Sequence, residues 1–233
     1  YALTVPAMAN GLASVYGSDD PEALVAAMNR GELKVGDVMA DGFALIERFI
    51  DDGWYGDGLT TETVDTLKAG AQDVPDFANG DVAFMFCTAD TYERVDTENP
   101  EASIVATGVP VEGGMVTLPA ISVRLSMNAH GSNIDAARRF VEYLSTNEMQ
   151  EQRSGNTGVL PILKGQRLQV DQRIEPMVEV YQGDAQVPIE DMRLSFTYWD
   201  TVRELCIKMF DGYSAAQASA AYNDIQAAAT SGA

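Results

Sequence analysis

The sequence predicts an α/β fold, and three observations carry that prediction. An Asn79-Gly80 turn leads into five apolar residues, Val82–Phe86, a run of strand length. The stretch "ASIVATGVPVEGGMVTLPAISVRLSMN", residues 102–128, holds two or three further strands joined around Gly113-Gly114. Around both, apolar residues recur at helical spacing, and strands interspersed with helices are the pattern of α/β architecture. At 233 residues the chain suffices for one large domain or two small ones, and a hydrophobic content of 46% is enough for a packed core.

Taken in order, residues 5–30 read as one or two short helices around Gly17-Ser18-Asp19-Asp20-Pro21, with Asp20 as a cap and Pro21 at the first helical position. Phe43, Ile46, Phe49 and Ile50 share one face of a helix from about 38 to 52. "DDGWYGDG" ends it. Its acids and glycines suggest a calcium loop, but Gly53 stands where the third-position acid belongs, so calcium is not expected. Trp54 is expected to cover the preceding helix. A helix over 61–79 is followed by a strand over 81–87, buried as core, and a helix from about 89 to 95. Asn133 is placed to cap "IDAARRFVEYL", whose Ile134, Ala137, Phe140, Val141 and Leu144 lie on one face. A helix over 147–154 runs to Gly155-Asn156-Thr157-Gly158, and Pro161 stiffens the connector "VLPILKG". Helices near 171–182 and 197–210 and an Ala-rich last helix complete the chain.

Charge and motifs narrow the function. Fifteen Lys and Arg against 35 Asp and Glu give a net charge of −20, a field that repels phosphate backbones and anionic membrane surfaces. Apolar runs fall far short of the ~20 residues of a membrane-spanning helix. Cys87 and Cys206 are far apart and form no CxxC pattern, so they are either one disulfide or two thiols, and neither arrangement is a zinc site. The single histidine, His130, sits in a turn and is read as structural. No nucleophile elbow, metalloprotease, phosphate-loop or dinucleotide signature occurs. No catalytic residue, metal ligand or cofactor is therefore assigned.

Four segments in ordered succession carry a family resemblance: "FANGDVAFMFCTADTY", "SVRLSMNAHGSNIDAARRFVEYLSTNEMQEQ", "TGVLPILKG" and "FTYWDTVRELCIKMFDGYSAAQASAAYNDIQ". The first is similar to a Phe-x-x-Gly-Lys/Glu-x-Ala-Met strand followed by a small-residue loop. The second is similar to a strand, a Ser/Asn-rich turn and "A-x-x-F-x-x-x-L-x-x-x-E-x-Q" helices. Together they resemble the bacterial extracellular solute-binding proteins that feed ABC transporters, in particular the maltodextrin-binding-like members. The resemblance implies a periplasmic-binding-protein type II-like fold, two-lobed with a ligand cleft. It also implies that this chain matches the second half of the family, mostly the C-terminal lobe, with the N-terminal half of the same protein lying outside it. The alternative is a natural single-lobe protein. On this basis residues 1–160 are expected to form the C-terminal-lobe α/β region, 161–195 a hinge return, and 196–233 the helices bordering the cleft.

The same resemblance implies a carbohydrate ligand, expected to be an oligosaccharide, and ABC permease transmembrane subunits as partners. The complete protein is expected to be a monomer in the periplasm or, as a lipoprotein, on the extracellular face of the membrane. The loop Cys87, Thr88, Asp90 would contact the ligand, with Asp90 standing where the family often has an aromatic; Asp90 either accepts from sugar hydroxyls or caps the following helix. Trp199 would stack on a sugar face or belong to the core, with Tyr198 beside it. Ser122 and Arg124 match a strand that passes the cleft. Arg124 either donates to hydroxyls, pairs with Asp90, reads a sugar carboxylate, or is a solvated surface residue. Two other classes stay open, a carbohydrate-active enzyme domain, which needs a matched carboxylate pair, and a sensor or adhesion module on the same fold.

Overall fold

The computed structural model describes residues 2–56, 67–120, 125–157, 160, 163, 170–183 and 186–231. The chain opens with α1 (Thr4–Tyr16), α2 (Pro21–Asn29), the single turn α3 (Val35–Val38) and α4 (Ala40–Asp51). Asp20 caps α2 as expected, its Oδ1 accepting from the Ala23 amide at 2.9 Å, and Pro21 takes the first helical position. α4 carries the predicted stripe, with Phe43 and Ile46 wholly buried. Trp54 lies just past it, stacked on Phe49 with ring centroids 5.5 Å apart.

These helices close on the chain's last two, α10 (Trp199–Phe210) and α11 (Ala215–Thr230), around a core that includes Met8, Met28, Met39, Leu205 and Tyr222. Two close approaches set their spacing. A Cβ at Gly42 would collide with the Ala7 carbonyl, and one at Gly36 with the Ser219 carbonyl, so α4 lies backbone to backbone on α1, and α3 on α11. The buried Gln226 of α11 fastens the α2–α3 connection: its Oε1 accepts from the Val35 amide at 2.9 Å, and its Nε2 donates to Met28 and Leu33 carbonyls at 2.7 and 2.9 Å. Ser214 and Gln217 form a reciprocal cap at the start of α11.

A second, smaller unit is the pair α5 (Leu67–Ala78) and α6 (Thr91–Glu98), joined through Val74, Ala78 and Val95. Between the two helices the sequence expectation fails. Residues 82–86 form no strand with any described residue and bend at Ala83; Met85 alone packs on the small core, and Phe84 is 83% exposed. An apolar run becomes a strand only when another strand takes its amide and carbonyl groups, and composition does not reveal whether one is there.

Among the described residues of 102–128 the expected strands reduce to a hairpin, β1 (Val109–Val111) and β2 (Gly114–Val116), antiparallel with Val109 opposite Val116. Gly113 turns it at φ +82°, a conformation glycine adopts without strain. A parallel bridge from Thr117 to Gln186 extends its edge. Among the described residues the architecture is thus mostly helical rather than an extended α/β sheet. α7 (Ile134–Leu144) and α8 (Asn147–Thr157) meet at their junction, and α7 buries no residue fully. Of its predicted face, Phe140 is exposed, and Asn133 makes no side-chain cap. A 3-10 turn (Gln172–Ile174) leads into α9 (Glu175–Gln182), which rests on β2.

Candidate functional site

Cys87, Thr88 and Asp90 form the loop that enters α6. The Thr88 carbonyl accepts from the Thr91 amide at 3.0 Å, and the two hydroxyls lie 3.3 Å apart, so the loop is folded onto the first turn of the helix. Asp90 occupies the cap position with a helical backbone (φ −73°, ψ −6°). Its carboxylate is exposed and makes no capping bond, which leaves its oxygens facing solvent. Cys87 is exposed and Cys206 buried, both as free thiols, so the disulfide alternative does not hold. Burial pushes the Cys206 thiol up to about 12, which keeps it protonated and inert.

Tyr198 and Trp199 belong to the other unit. Tyr198 is 5% exposed, and its hydroxyl donates to the Pro188 carbonyl, an arrangement that makes it a core residue whose one polar atom is already occupied. Trp199, the first residue of α10, is half-buried against the main core and keeps part of its indole at the surface. Its place depends on the segment 186–198, which is pinned from three sides. Asn29 donates to the Arg193 carbonyl at 2.7 Å and accepts from the Ser195 amide at 2.8 Å. Arg193 grips Asp191 through Nε and Nη2 at 2.9 and 2.7 Å, and the Tyr16 hydroxyl donates to the same carboxylate at 3.0 Å. Burial alone would push the Asp191 carboxyl up, but the Arg193 and Tyr16 hydrogen bonds hold it below the usual range. Burial and the neighbouring Asp191 push the Tyr16 phenol well up.

Ser122 and Arg124 lie outside the described residues. The structure therefore gathers Cys87, Thr88 and Asp90 on one loop and sets Tyr198 and Trp199 at the head of α10, on a different core. Sequence reasoning passed over a cavity of about 190 Å³ between the end of α1 and the hairpin, lined by Ala13, Gly17, Gly113, Gly114, Gln186 and Val187. The Gly113-Gly114 pair, read only as a turn, was its one sequence signal. Sequence reasoning also gave no role to Arg173, which binds the flank of α6. Its Nη1 and Nη2 donate to Asp96 at 2.5 and 2.9 Å, its Nε and Nη2 donate to Asp171 at 2.8 and 2.7 Å, and its guanidinium lies 5.0 Å from the centroid of the Tyr92 ring. These hydrogen bonds hold the Asp171 carboxyl down at about 2.

Among the described residues no cluster of His, Cys, Asp or Glu could hold a metal ion, and no helix is long and apolar enough to cross a membrane. What the molecule presents is a polar loop at a helix entrance and an aromatic at a second helix head, parts suited to holding a small molecule. The family comparison specifies that class further: the model of the bacterial extracellular solute-binding proteins matches residues 8–176, and the chain belongs to that family. Its function is extracellular solute binding for ABC transport. No curated protein and no solved structure matches the chain.

Proposed function

We propose that the solute is a carbohydrate, captured by hinge closure and handed to the permease subunits of an ABC importer without any bond being made or broken. The observation that carries this reading is Trp199, an indole packed against the core yet only partly buried, because a sugar's C–H face packs on such a ring. The exposed Asp90 carboxylate and the Thr88 hydroxyl supply hydrogen-bonding groups suited to sugar hydroxyls. In this reading the two sets of residues face a common cleft between lobes, closing about the expected hinge at Pro161, which lies outside the described residues, as periplasmic binding proteins do. The family resemblance assigns Ser122 and Arg124 to the same ligand set, and a cationic guanidinium in it would favour a polar or acidic glycan over a long neutral one. The protein acts in the periplasm or, lipid-anchored, on the outer face of the membrane.

Calorimetric titration of the protein against neutral and uronic mono- and oligosaccharides tests this. Saturable binding without turnover, weakened about tenfold by Trp199→Ala and less by Asp90→Ala, is the expected result. Binding of peptides or other small solutes, with no sugar bound across the panel, would remove the carbohydrate assignment while leaving the family standing.

A further inference from the structure

We infer that Arg173 is the positioning residue for the solute loop, holding α6 and therefore Cys87–Asp90 in place against the rest of the molecule. This rests on the reading of that loop as a ligand contact.

Two adjacent stripes of α6 are used. Thr91 and Val95, four residues apart, are buried, and Val95 packs with Val74 and Ala78 of α5. Tyr92 and Asp96, the next pair around the helix, meet Arg173. The first stripe ties α6 to α5, with which it shares a core of three buried apolar side chains among the described residues. The second ties it to the 3-10 turn that leads into α9 and, through α9, to β2. Arg173 is itself held: Asp171 accepts from its amide at 2.9 Å and from its guanidinium, and its carbonyl accepts from the Ala106 amide at 2.7 Å. The guanidinium thus presents one edge to Asp171 and the other to Asp96, 77 residues away in sequence, while its face covers Tyr92. Lysine has no planar fork and holds one carboxylate at a time. Because the Thr88 carbonyl and hydroxyl both engage Thr91, beside Tyr92, movement of the first turn of α6 moves the loop.

Two measurements on the full chain test this, each with Arg173→Gln, Asp96→Asn and the double variant. Hydrogen–deuterium exchange should speed up about tenfold across 87–98 in each single variant and no further in the double, with α1, α4 and α11 unchanged. Arg173→Lys should restore part of the protection. Titration with whichever sugar of the panel binds the native protein best should show affinity reduced about tenfold in the same variants. Unchanged exchange over 87–98, or acceleration spread evenly over the whole molecule, would overturn the positioning role. Local acceleration with unaltered affinity would overturn its link to the solute. If Asp90→Ala were also without effect, the fault would lie with the loop assignment. If no sugar binds at all, the exchange result alone decides whether Arg173 positions the loop.

Discussion

In the helical body, α1 and α4 approach closely enough that Gly42 meets the Ala7 carbonyl, and Phe43, Ile46, Met39 and Tyr222 are fully enclosed. In the α5–α6 pair, the enclosed side chains among the described residues are Val74, Ala78, Thr91 and Val95, and the flanking apolar residues Phe77, Met85 and Ile104 are only partly covered. The body is held by apolar area and shape. The pair, with few enclosed apolar side chains among its described residues, adds directed polar bonds, the Arg173 fork and an Asn99 side chain donating to the Ala78 carbonyl at 2.9 Å. Burial, at roughly 25 cal/mol per Å², dominates the first. The lesson is that the unit carrying the candidate solute loop has the smaller of the two cores among the described residues, as ligand-binding elements tend to.

The contrast can be broken most sharply at Phe43. Phe43→Ala should cost about 4 kcal/mol of global stability, read from a denaturant midpoint, because it opens a cavity where four helices meet. Gln226→Ala should cost about 3 kcal/mol, since it strands the Val35 amide and two carbonyls away from water. Val95→Ala, by contrast, should cost about 2 kcal/mol and only locally, accelerating exchange in α5 and α6 while the denaturant midpoint of the body stays put.

Acid should also separate the units. The Asp171 carboxyl, lowered from 3.8 to about 2 by Arg173, contributes stability that is complete above the unfolded value and is lost as pH falls through the folded one. Asp96 is lowered by the same guanidinium. Amide NMR between pH 5 and pH 2 should therefore show α6 loosening below about pH 4, ahead of α1 and α4. The smallest effect is expected at Phe84. At 83% exposure, Phe84→Ser should change stability by less than about 0.5 kcal/mol, whereas a loss of about 3 kcal/mol would mean that the run 82–86 is packed in a core after all.

Much of the helical body was legible beforehand. Asp20-Pro21 marked the start of α2, the Phe43–Ile46 spacing marked α4, and the helices near 171–182 and 197–210 and the last helix all fall within a few residues of where periodicity put them. Of the candidate site, the Cys87–Asp90 loop and Trp199 could be singled out, but neither the occupied hydroxyl of Tyr198 nor the grip of Arg173 on Asp96 could. Those bonds join residues through space, and no local pattern announces them.

Helix periods, caps and turn residues are local quantities, so the sequence by itself determined roughly where most helices lie, the inward face of α4, and which family the ordered motifs belong to. Tertiary structure decided what each apolar stretch packs against. Val82–Phe86 and the face of α7 read as core, yet Phe84 and Phe140 stand exposed, because burial requires a partner as well as an apolar side chain. Tertiary structure likewise decided that a lone arginine 77 residues from Asp96 would hold the helix behind the candidate loop. A fork of hydrogen bonds acts only where folding brings its two carboxylates to the same guanidinium.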